Sequence, residues 1–536
     1  MINNFSKYVL ERGGWVSELK LPVEHSEGLG VANPSIFVKG DKVLCNIRRV
    51  NYIFHINDSM VWQSWYGPSC YHHPDDDVTL TTENYFCELD DDMQVKPDTV
   101  KHVDYSKFYT KPKWEFIGEE DCRIVEWNKH LYLTGCRRDT EETGISRMEL
   151  SEIDKDAKEI KRTRVPGTGD DKSYCEKNWM PVLDQPYTYV KWCNPLEVVK
   201  YDPKKNKTET IVLKEYEMKS DDPLCDLRGN SQVIRVGDYY IAHLHEVNLW
   251  KNRYEEKDAV YYQRFIVWDK DWNLVKLSPR FWFMNFKIEF GVGMIYKDDC
   301  FYVSFAVFDN ASYVIKIPKD VFWGFVGLQD EVKPILGLDN TLKLLAQNAN
   351  YVGYIMDDQD PYSSYNVGLG YFNEKQYACA HAFFIKSADL CTSDRFRYRQ
   401  LGYDAFYMCM KCNERLGRRL SKLINMYGQL FDWDDERFQT YYELSKLYYG
   451  SGENKNNHYI AFGYAALAKT HLNRITPVTG YGANERFIRE NVMFQYYVCA
   501  YRCYKDYIAV PGLRYLRDNG LEDTKQRVLA LGLNLD

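Results

Sequence analysis

The sequence predicts a five-bladed β-propeller followed by an all-α, tetratricopeptide-like helical repeat domain. Three observations carry that reading. One hairpin outline recurs five times between Gly28 and Ile317. That stretch consists of short runs rich in Val, Ile, Tyr, Phe and Trp, separated by turn clusters. From about Tyr362 the apolar period becomes that of a helix.

The first hairpin runs Asn33-Pro34-Ser35-Ile36-Phe37, turns at Lys39-Gly40-Asp41 and returns as Val43 to Arg49. The second begins at Gly118-Glu119-Glu120-Asp121-Cys122-Arg123, turns at Trp127-Asn128-Lys129 and returns through Leu131 to Arg137-Arg138. The third leads from Lys177-Asn178-Trp179-Met180 through Asp184-Gln185-Pro186 to Cys193-Asn194-Pro195. The fourth passes from Arg228 through Gln232 and the turn Val236-Gly237-Asp238 to His245-Glu246. The fifth starts at Glu289, turns at Lys297-Asp298-Asp299 and ends at Asp309-Asn310. Copies roughly 50–90 residues apart fit propeller blades with a loop insertion at the longest gap. Radial repetition protects sheet edges and brings the innermost strands of all blades onto one central funnel. Charged strand ends far apart in sequence then meet in space; the alternative is that each is a separate solvated end.

The boundaries drawn from this pattern are a propeller over 1–320, a strand-poor connector over 321–360 and helical repeats over 361–536. Val367-Gly368-Leu369-Gly370-Tyr371 with Ala380 and Phe384 has tetratricopeptide spacing, and Leu401-Gly402 lies 34 residues on. Further amphipathic runs at 441–448, 460–468 and 492–498 complete an α-solenoid, with an insertion at 450–458. Such a stack offers a face for a protein partner.

The 536 residues exceed one ordinary core. Apolar content of 45% and charged content of 27% are globular values, and no run approaches the ~20 apolar residues of a membrane span. The N-terminus lacks a secretion-signal pattern and the 15 cysteines are scattered, which together suggest reduced thiols in a cytoplasm. A net charge of -8 gives no broad footprint for nucleic acid, although a local basic groove for a nucleic-acid acceptor stays open. The 44 tyrosines and 13 tryptophans suit either sheets or stacking on sugar rings.

Asp121 is the candidate acid/base. Glu120 beside it raises its pKa by like charge, and Arg123 two residues on lowers it. Sugar chemistry needs such a group to exchange a proton with the oxygen of the bond being made or broken. Arg48, Arg123, Lys177 and Arg228 make the funnel basic enough for phosphate oxygens. The competing reading is a structural salt bridge at Asp121. No Gly-rich phosphate loop is present, no cofactor is called for and no metal site is expected. Cys409-Met410-Lys411-Cys412 lacks a partner pair for zinc. Tyr71-His72-His73-Pro74-Asp75-Asp76-Asp77 reads as a solvated loop and Arg415, Arg418 and Arg419 as a solvated helix face.

The motif Glu120-Asp121-Cys122-Arg123 resembles the Glu-Asp-x-Arg signature of five-bladed propeller enzymes acting on glycosides, the glycoside hydrolase family 130 mannoside phosphorylases and related β-1,2-mannosyltransferases. The resemblance covers about residues 25–320. It extends through Asn33-Pro34-Ser35-Ile36, Arg48-Arg49-Val50-Asn51-Tyr52, Glu176-Lys177-Asn178-Trp179, Arg228-Gly229-Asn230-Ser231-Gln232, His245-Glu246, Arg264-Phe265 and Ile288-Glu289. It implies catalysis by Asp121, with Glu120 sharing or contesting the role, and a phosphate-side Lys177. It also implies substrate contacts at Arg48, Asn51, Tyr52, Arg123, Asn178, Arg228, Gln232, His245, Glu246 and Glu289. Two departures stand out. Cys193-Asn194-Pro195 replaces an arginine that phosphorylases carry, which disfavours a free-phosphate pocket, and Cys122 replaces a proline. The expectation is therefore an inverting glycosyltransferase using a nucleotide sugar as substrate and a hydroxyl-bearing acceptor. Its alternatives are a glycoside phosphorylase with Asp121 as general acid, and a non-catalytic glycan-binding propeller.

Overall fold

The computed structural model describes residues 1–53, 79–108, 116–169, 173, 175–216, 226–251, 257–335, 351–417, 420–452, 454–481 and 484–535. Two sequence readings, Tyr71 to Asp77 and the pair Arg418-Arg419, lie outside the described residues. The N-terminal part is a five-bladed β-propeller and the C-terminal part is helical.

All five hairpins form at the turns named above, and each supplies the two inner strands of a blade. Blade 1 orders Gly30–Lys39, Lys42–Val50, Leu80–Leu89 and Lys101–His102 from the inside outward. Blade 2 follows with Glu120–Trp127, His130–Arg137, Arg147–Ile153 and Glu159–Arg164. Blade 3 is Met180–Pro181, Thr188–Cys193, Leu196–Asp202 and Lys207–Lys214. In blade 4 the innermost strand is split into Asp226–Gly229 and Ile234–Val236, both pairing Tyr239–Lys251. Blade 5 has Glu289–Lys297, Cys300–Val307 and Ala311–Pro318, and its outermost strand comes from the other end of the sequence. That strand, Trp15–Leu19, pairs antiparallel with Ala311–Pro318, Val16 opposite Ile315, and so closes the ring. The sequence reading began at Gly28 and missed it, because five residues with one acid among them carry little periodic signal.

Apolar layers between neighbouring blades hold the ring. Leu44 of blade 1 packs with Ile124 and Leu133 of blade 2. Val125 and Trp127 pack with Trp179 and Tyr189 of blade 3, and Val190 and Val198 with Leu244 and Trp268 of blade 4. Trp127, Trp179 and Trp268 are fully buried. A buried aromatic of this size removes roughly 150–250 Å² from water, or about 4–6 kcal/mol at ~25 cal/mol per Å².

At the axis the inner strands are tied by polar groups. Gln232 Nε2 lies 3.1 Å from Ser35 Oγ, 3.1 Å from the Ile36 carbonyl and 2.9 Å from the Ile124 carbonyl. Its Oε1 accepts from the Met294 amide at 3.2 Å, so one buried side chain joins blades 1, 2, 4 and 5. Gly293 lets blade 5 approach blade 1, since a Cβ there would stand 2.4 Å from the Ile36 nitrogen.

The chain divides into two compact units, Met1–Ala382 and Phe383–Asp536. The division falls inside the helix Tyr377–Cys391, whereas the sequence boundaries lie at 320 and 361. Within the first unit, Lys319–Val326 is a helix in the stretch read as a connector, ended by Gly327 at φ +84. Tyr351–Met356 and Pro361–Asn373 bind the propeller through tyrosine hydroxyls. Tyr351 Oη donates to the Val16 carbonyl at 3.0 Å, Tyr354 Oη to the Met284 carbonyl at 2.8 Å, and Tyr313 and Tyr371 hydroxyls meet at 2.7 Å. These tyrosines serve packing, not sugar stacking.

The second unit stacks successive helices, including Arg399–Arg415, Phe438–Gly450, Lys455–Thr470, Glu485–Arg502, Asp506–Asn519 and Glu522–Leu529. Gly402 faces the Trp433 ring, where a Cβ would stand 2.1 Å away. Cys409 and Cys412 are both buried within the first of these helices. Among the described residues no group of three or more His, Cys, Asp or Glu could hold a metal, and no helix is long and apolar enough to cross a membrane.

Replacing Gln232 by Leu strands the buried Met294 amide and removes the axial donor to the Ile36 and Ile124 carbonyls, while Ser35 Oγ keeps the Ile124 amide. At roughly 1–3 kcal/mol for each unsatisfied buried group, the Gln232→Leu propeller is expected to lose at least about 2 kcal/mol. Urea unfolding followed by tryptophan fluorescence checks this, and an unchanged midpoint would contradict the clamp.

Candidate active site

In or just before the inner strands, three blades carry a side chain of Asn or Asp on a left-handed backbone: Asn33 at φ +45, Asp121 at +54 and Asn178 at +63. Asn and Asp tolerate this region better than other residues with a Cβ. In blades 1 and 2 the ladder slips at the same place, between Ala32 and Ser35 and between Glu120 and Arg123. A bulge of this kind releases a residue from the pleat and re-aims its side chain. Gly135 makes the second bulge feasible, because a Cβ there would stand 2.6 Å from the Glu120 carbonyl oxygen. Cys122, next to Asp121, is fully buried in the layer between blades 1 and 2.

These devices aim polar groups into a cavity of about 170 Å³ at the propeller axis. Of the residues singled out from sequence, Arg48, Tyr52, Glu120, Asp121, Lys177, Asn178, Arg228 and His245 line it. Asn33, Tyr261 and Asp309 line it too and were missed as site residues. For Asn33 and Asp309 the signal existed, since both stand at the hairpin ends where the other blades place Asp121 and His245. Tyr261 lies mid-strand and carries none.

Asp121 Oδ1 accepts from Asn33 Nδ2 at 2.8 Å and from Arg48 Nη1 at 3.0 Å. Burial pushes its pKa up, but Arg48, Arg123 and Lys177 overrule this and hold it below the ordinary carboxylate range. Both donors can only donate, so this oxygen presents lone pairs. Arg48 also donates to Thr82 Oγ1 at 3.0 Å and to Tyr52 Oη at 3.3 Å, and Tyr52 Oη donates to Asp309 Oδ2 at 3.0 Å. Burial raises the pKa of both Glu120 and Asp309, and the Asp121 charge adds to each shift. Glu120 stands 3.9 Å from Arg48. Three carboxyl groups thus share one site, and their surroundings drive them apart in proton affinity.

Lys177 makes no hydrogen bond or ion pair among the described residues, and its side chain is exposed to the cavity. Desolvation would lower its pKa, but Glu120 and Asp121 raise it, so the ammonium stays charged. His245 is held neutral by burial and by the nearby Arg228 charge. Its Nδ1 lies 2.5 Å from Asn230 Oδ1. Asn230 Nδ2 donates to Gln263 Oε1 at 3.2 Å, and Gln263 Nε2 donates to the Glu289 carbonyl at 2.7 Å. That carbonyl orients both amides, so Nδ1 carries the hydrogen and Nε2 is left as an acceptor.

Five residues expected at the site lie elsewhere, each for a local reason. Arg123 is fully buried and donates to the Asn230 carbonyl at 2.7 Å and the Asp121 carbonyl at 2.6 Å, bracing blade 2 against blade 4. Gln232 is the axial clamp. Asn51 bonds the backbone of Thr79 and Thr81. Glu246 is paired with Arg264 and Arg280, each at 2.7 Å. Glu289 accepts the amides of Phe283, Met284 and Phe286. A charge at a strand end has two uses, substrate contact and loop anchoring, and sequence spacing does not separate them.

No protein-family model matches the chain, and no curated protein matches its sequence. Solved structures similar to it include the β-1,2-mannobiose phosphorylase from Listeria innocua, at 10% identity over 56% of this chain and 93% of that one, with a TM-score of 0.36. A mannose phosphorylase from Leishmania mexicana is similar at 14% identity over 59% and 92%, with a TM-score of 0.32. A GDP-Man-dependent mannosyltransferase from Leishmania mexicana is similar at 12% identity over 60% and 94%, with a TM-score of 0.32.

Glu119, immediately before the acidic pair, points into blade 2, where it is fully buried and Ser151 Oγ donates to it at 2.8 Å. Burial and then the Glu159 charge, against the pull of Arg137, push it up to about 8. The folded chain therefore keeps a proton that the unfolded chain releases near 4.5. Its stabilising contribution is full below that value and is lost as pH rises through about 8. Glu119→Gln is expected to flatten the fall in unfolding midpoint between pH 5 and about 8.5. Identical pH slopes for the two proteins would show that Glu119 is ionised in the fold.

Proposed function

We propose that the chain is an inverting glycosyltransferase that moves a sugar from a nucleotide-sugar donor to an acceptor hydroxyl, with Asp121 as general base. The observation that carries this reading is Asp121 itself: ionised, with one oxygen fixed by Asn33 and Arg48. Such a group stands in the base form at neutral pH, with no proton of its own to donate, and can accept one from a bound hydroxyl as the bond forms.

In the proposed step the acceptor oxygen attacks the anomeric carbon while its proton passes to Asp121. The bond from that carbon to the donor phosphate oxygen breaks, and its electron pair leaves with the nucleoside diphosphate. One displacement with one base inverts the anomeric centre. Lys177 and Arg228 both line the cavity, and in this reading they meet the charge that develops on the leaving phosphate. His245 Nε2 and the carboxyl groups of Glu120 and Asp309 are available to sugar hydroxyls. The same two cations also suit free phosphate, which supports a phosphorylase with Asp121 as general acid as the second reading. That reading requires a protonated Asp121, against the pull of three cations. The cytoplasmic setting, and a protein partner for the helices, belong to this proposal and not to the fold.

A panel of nucleotide sugars with and without phosphate separates the readings. Transfer or hydrolysis without phosphate is expected, and Asp121→Asn should lower turnover by about 10²–10⁴-fold. Activity should persist as pH falls into the ordinary carboxylate range, because the base form survives there. Strict phosphate dependence with release of a sugar 1-phosphate would favour the phosphorylase. Full turnover by Asp121→Asn would refute both.

A further inference from the structure

The helical unit holds a second cavity, of about 570 Å³, between Arg399–Arg415, Phe438–Gly450, Glu485–Arg502 and the segment around Val478. Its floor is an ion cluster. Lys411, with its side chain only 9% exposed, reaches Glu443 Oε1 at 2.8 Å and Glu414 Oε2 at 2.9 Å. Glu443 Oε1 also accepts from Tyr407 Oη at 2.9 Å, and Oε2 meets Lys446 Nζ at 2.5 Å. Two ammonium groups thus share one buried carboxylate, whose oxygens are both occupied. Gathering charges at a buried site costs desolvation that internal pairing alone seldom offsets.

Two amide side chains at the cavity already have partners. Gln439 donates to the Thr476 carbonyl and accepts from Arg437, and Asn491 donates to the Phe487 carbonyl and accepts from Arg527. Of the two ammonium groups, Lys446 is the accessible donor: its side chain is 38% exposed, it carries three N–H groups, and its ion-pair partner is Glu443 at 2.5 Å. Around it stand the rings of Phe438, Tyr442 and Phe487.

We infer that this cavity is a binding site for a carboxylate carried on an apolar or aromatic body. A polypeptide presents that chemistry either as an Asp or Glu side chain among apolar residues or as a free C-terminus. The carboxylate meets Lys446 and the apolar part lies against the aromatic walls. The proposal concerns the helical unit only and stands whatever the propeller catalyses.

Fluorescent heptapeptides of leucine and phenylalanine with one central glutamate, their glutamine twins, and versions with free or amidated C-termini test it by anisotropy on the full chain. Acid-bearing peptides are expected to bind at least tenfold more tightly than fully amidated twins, and the terminal and internal arms identify the source. Lys446→Gln should abolish that preference and Lys446→Arg keep it, with circular dichroism showing both folded. Tyr442→Ala should weaken acid and amide peptides alike, and provides the readout if Lys446→Gln does not fold. No binding by any peptide, equal binding of acid and amide twins, or a preference that survives in Lys446→Gln would overturn the proposal.

Discussion

The structure depends on satisfying the backbone where five inner strands converge. Strands that radiate from an axis leave polar groups facing one another at close range, with little room for water, and an unpaired group there is expensive. Gln232, from blade 4, answers this by donating to atoms of blades 1 and 2 and accepting from blade 5. Arg123 does the same between blades 2 and 4, at the cost of burying a guanidinium whose pKa is lowered by desolvation. With the axis locked, the adjoining end of the inner strands is held rigidly enough to place a cavity.

That rigidity governs the electrostatics. The Asp121 carboxylate is not merely near Arg48; a bulge at Glu120–Arg123, a glycine at 135 and the Asn33 amide hold it there. The same guanidinium reaches Tyr52 and through it Asp309, so one cation orders two of the three carboxyl groups. Glu120 and Asp309 are driven toward the protonated form while Asp121 is driven away from it. Three carboxyls and three cations therefore share one cavity with unequal proton affinities, Asp121 the lowest of the three acids.

Much of this was legible in the chain. The turns at Lys39-Gly40-Asp41, Val236-Gly237-Asp238 and Lys297-Asp298-Asp299 mark hairpins because their residues tolerate turn backbones, and all three form. The cavity residues Arg48, Asp121, Lys177 and His245 were found because strand ends of equal phase must face the same funnel. Arg123, Gln232 and Glu289 were misplaced by the same logic. A polar side chain near the axis reaches either the cavity or a neighbouring backbone, and only the blade-to-blade distance decides which.

By itself the sequence determined the number of hairpins, the onset of the helices and the acidic pair Glu120-Asp121 that faces the cavity. Those properties are local, written in side-chain period, turn chemistry and adjacent charges. Tertiary structure alone decided that Trp15–Leu19 closes the ring, that Asn33 and Asp309 join the site, and that Asp121 is held ionised. Each of these depends on groups distant in sequence coming within about 3 Å in a water-poor space. There the sign of a pKa shift follows from which partner arrives. Asp121 was conspicuous as an acid beside an arginine two residues on, and in the fold the arginine that bonds its carboxylate is Arg48, from another blade.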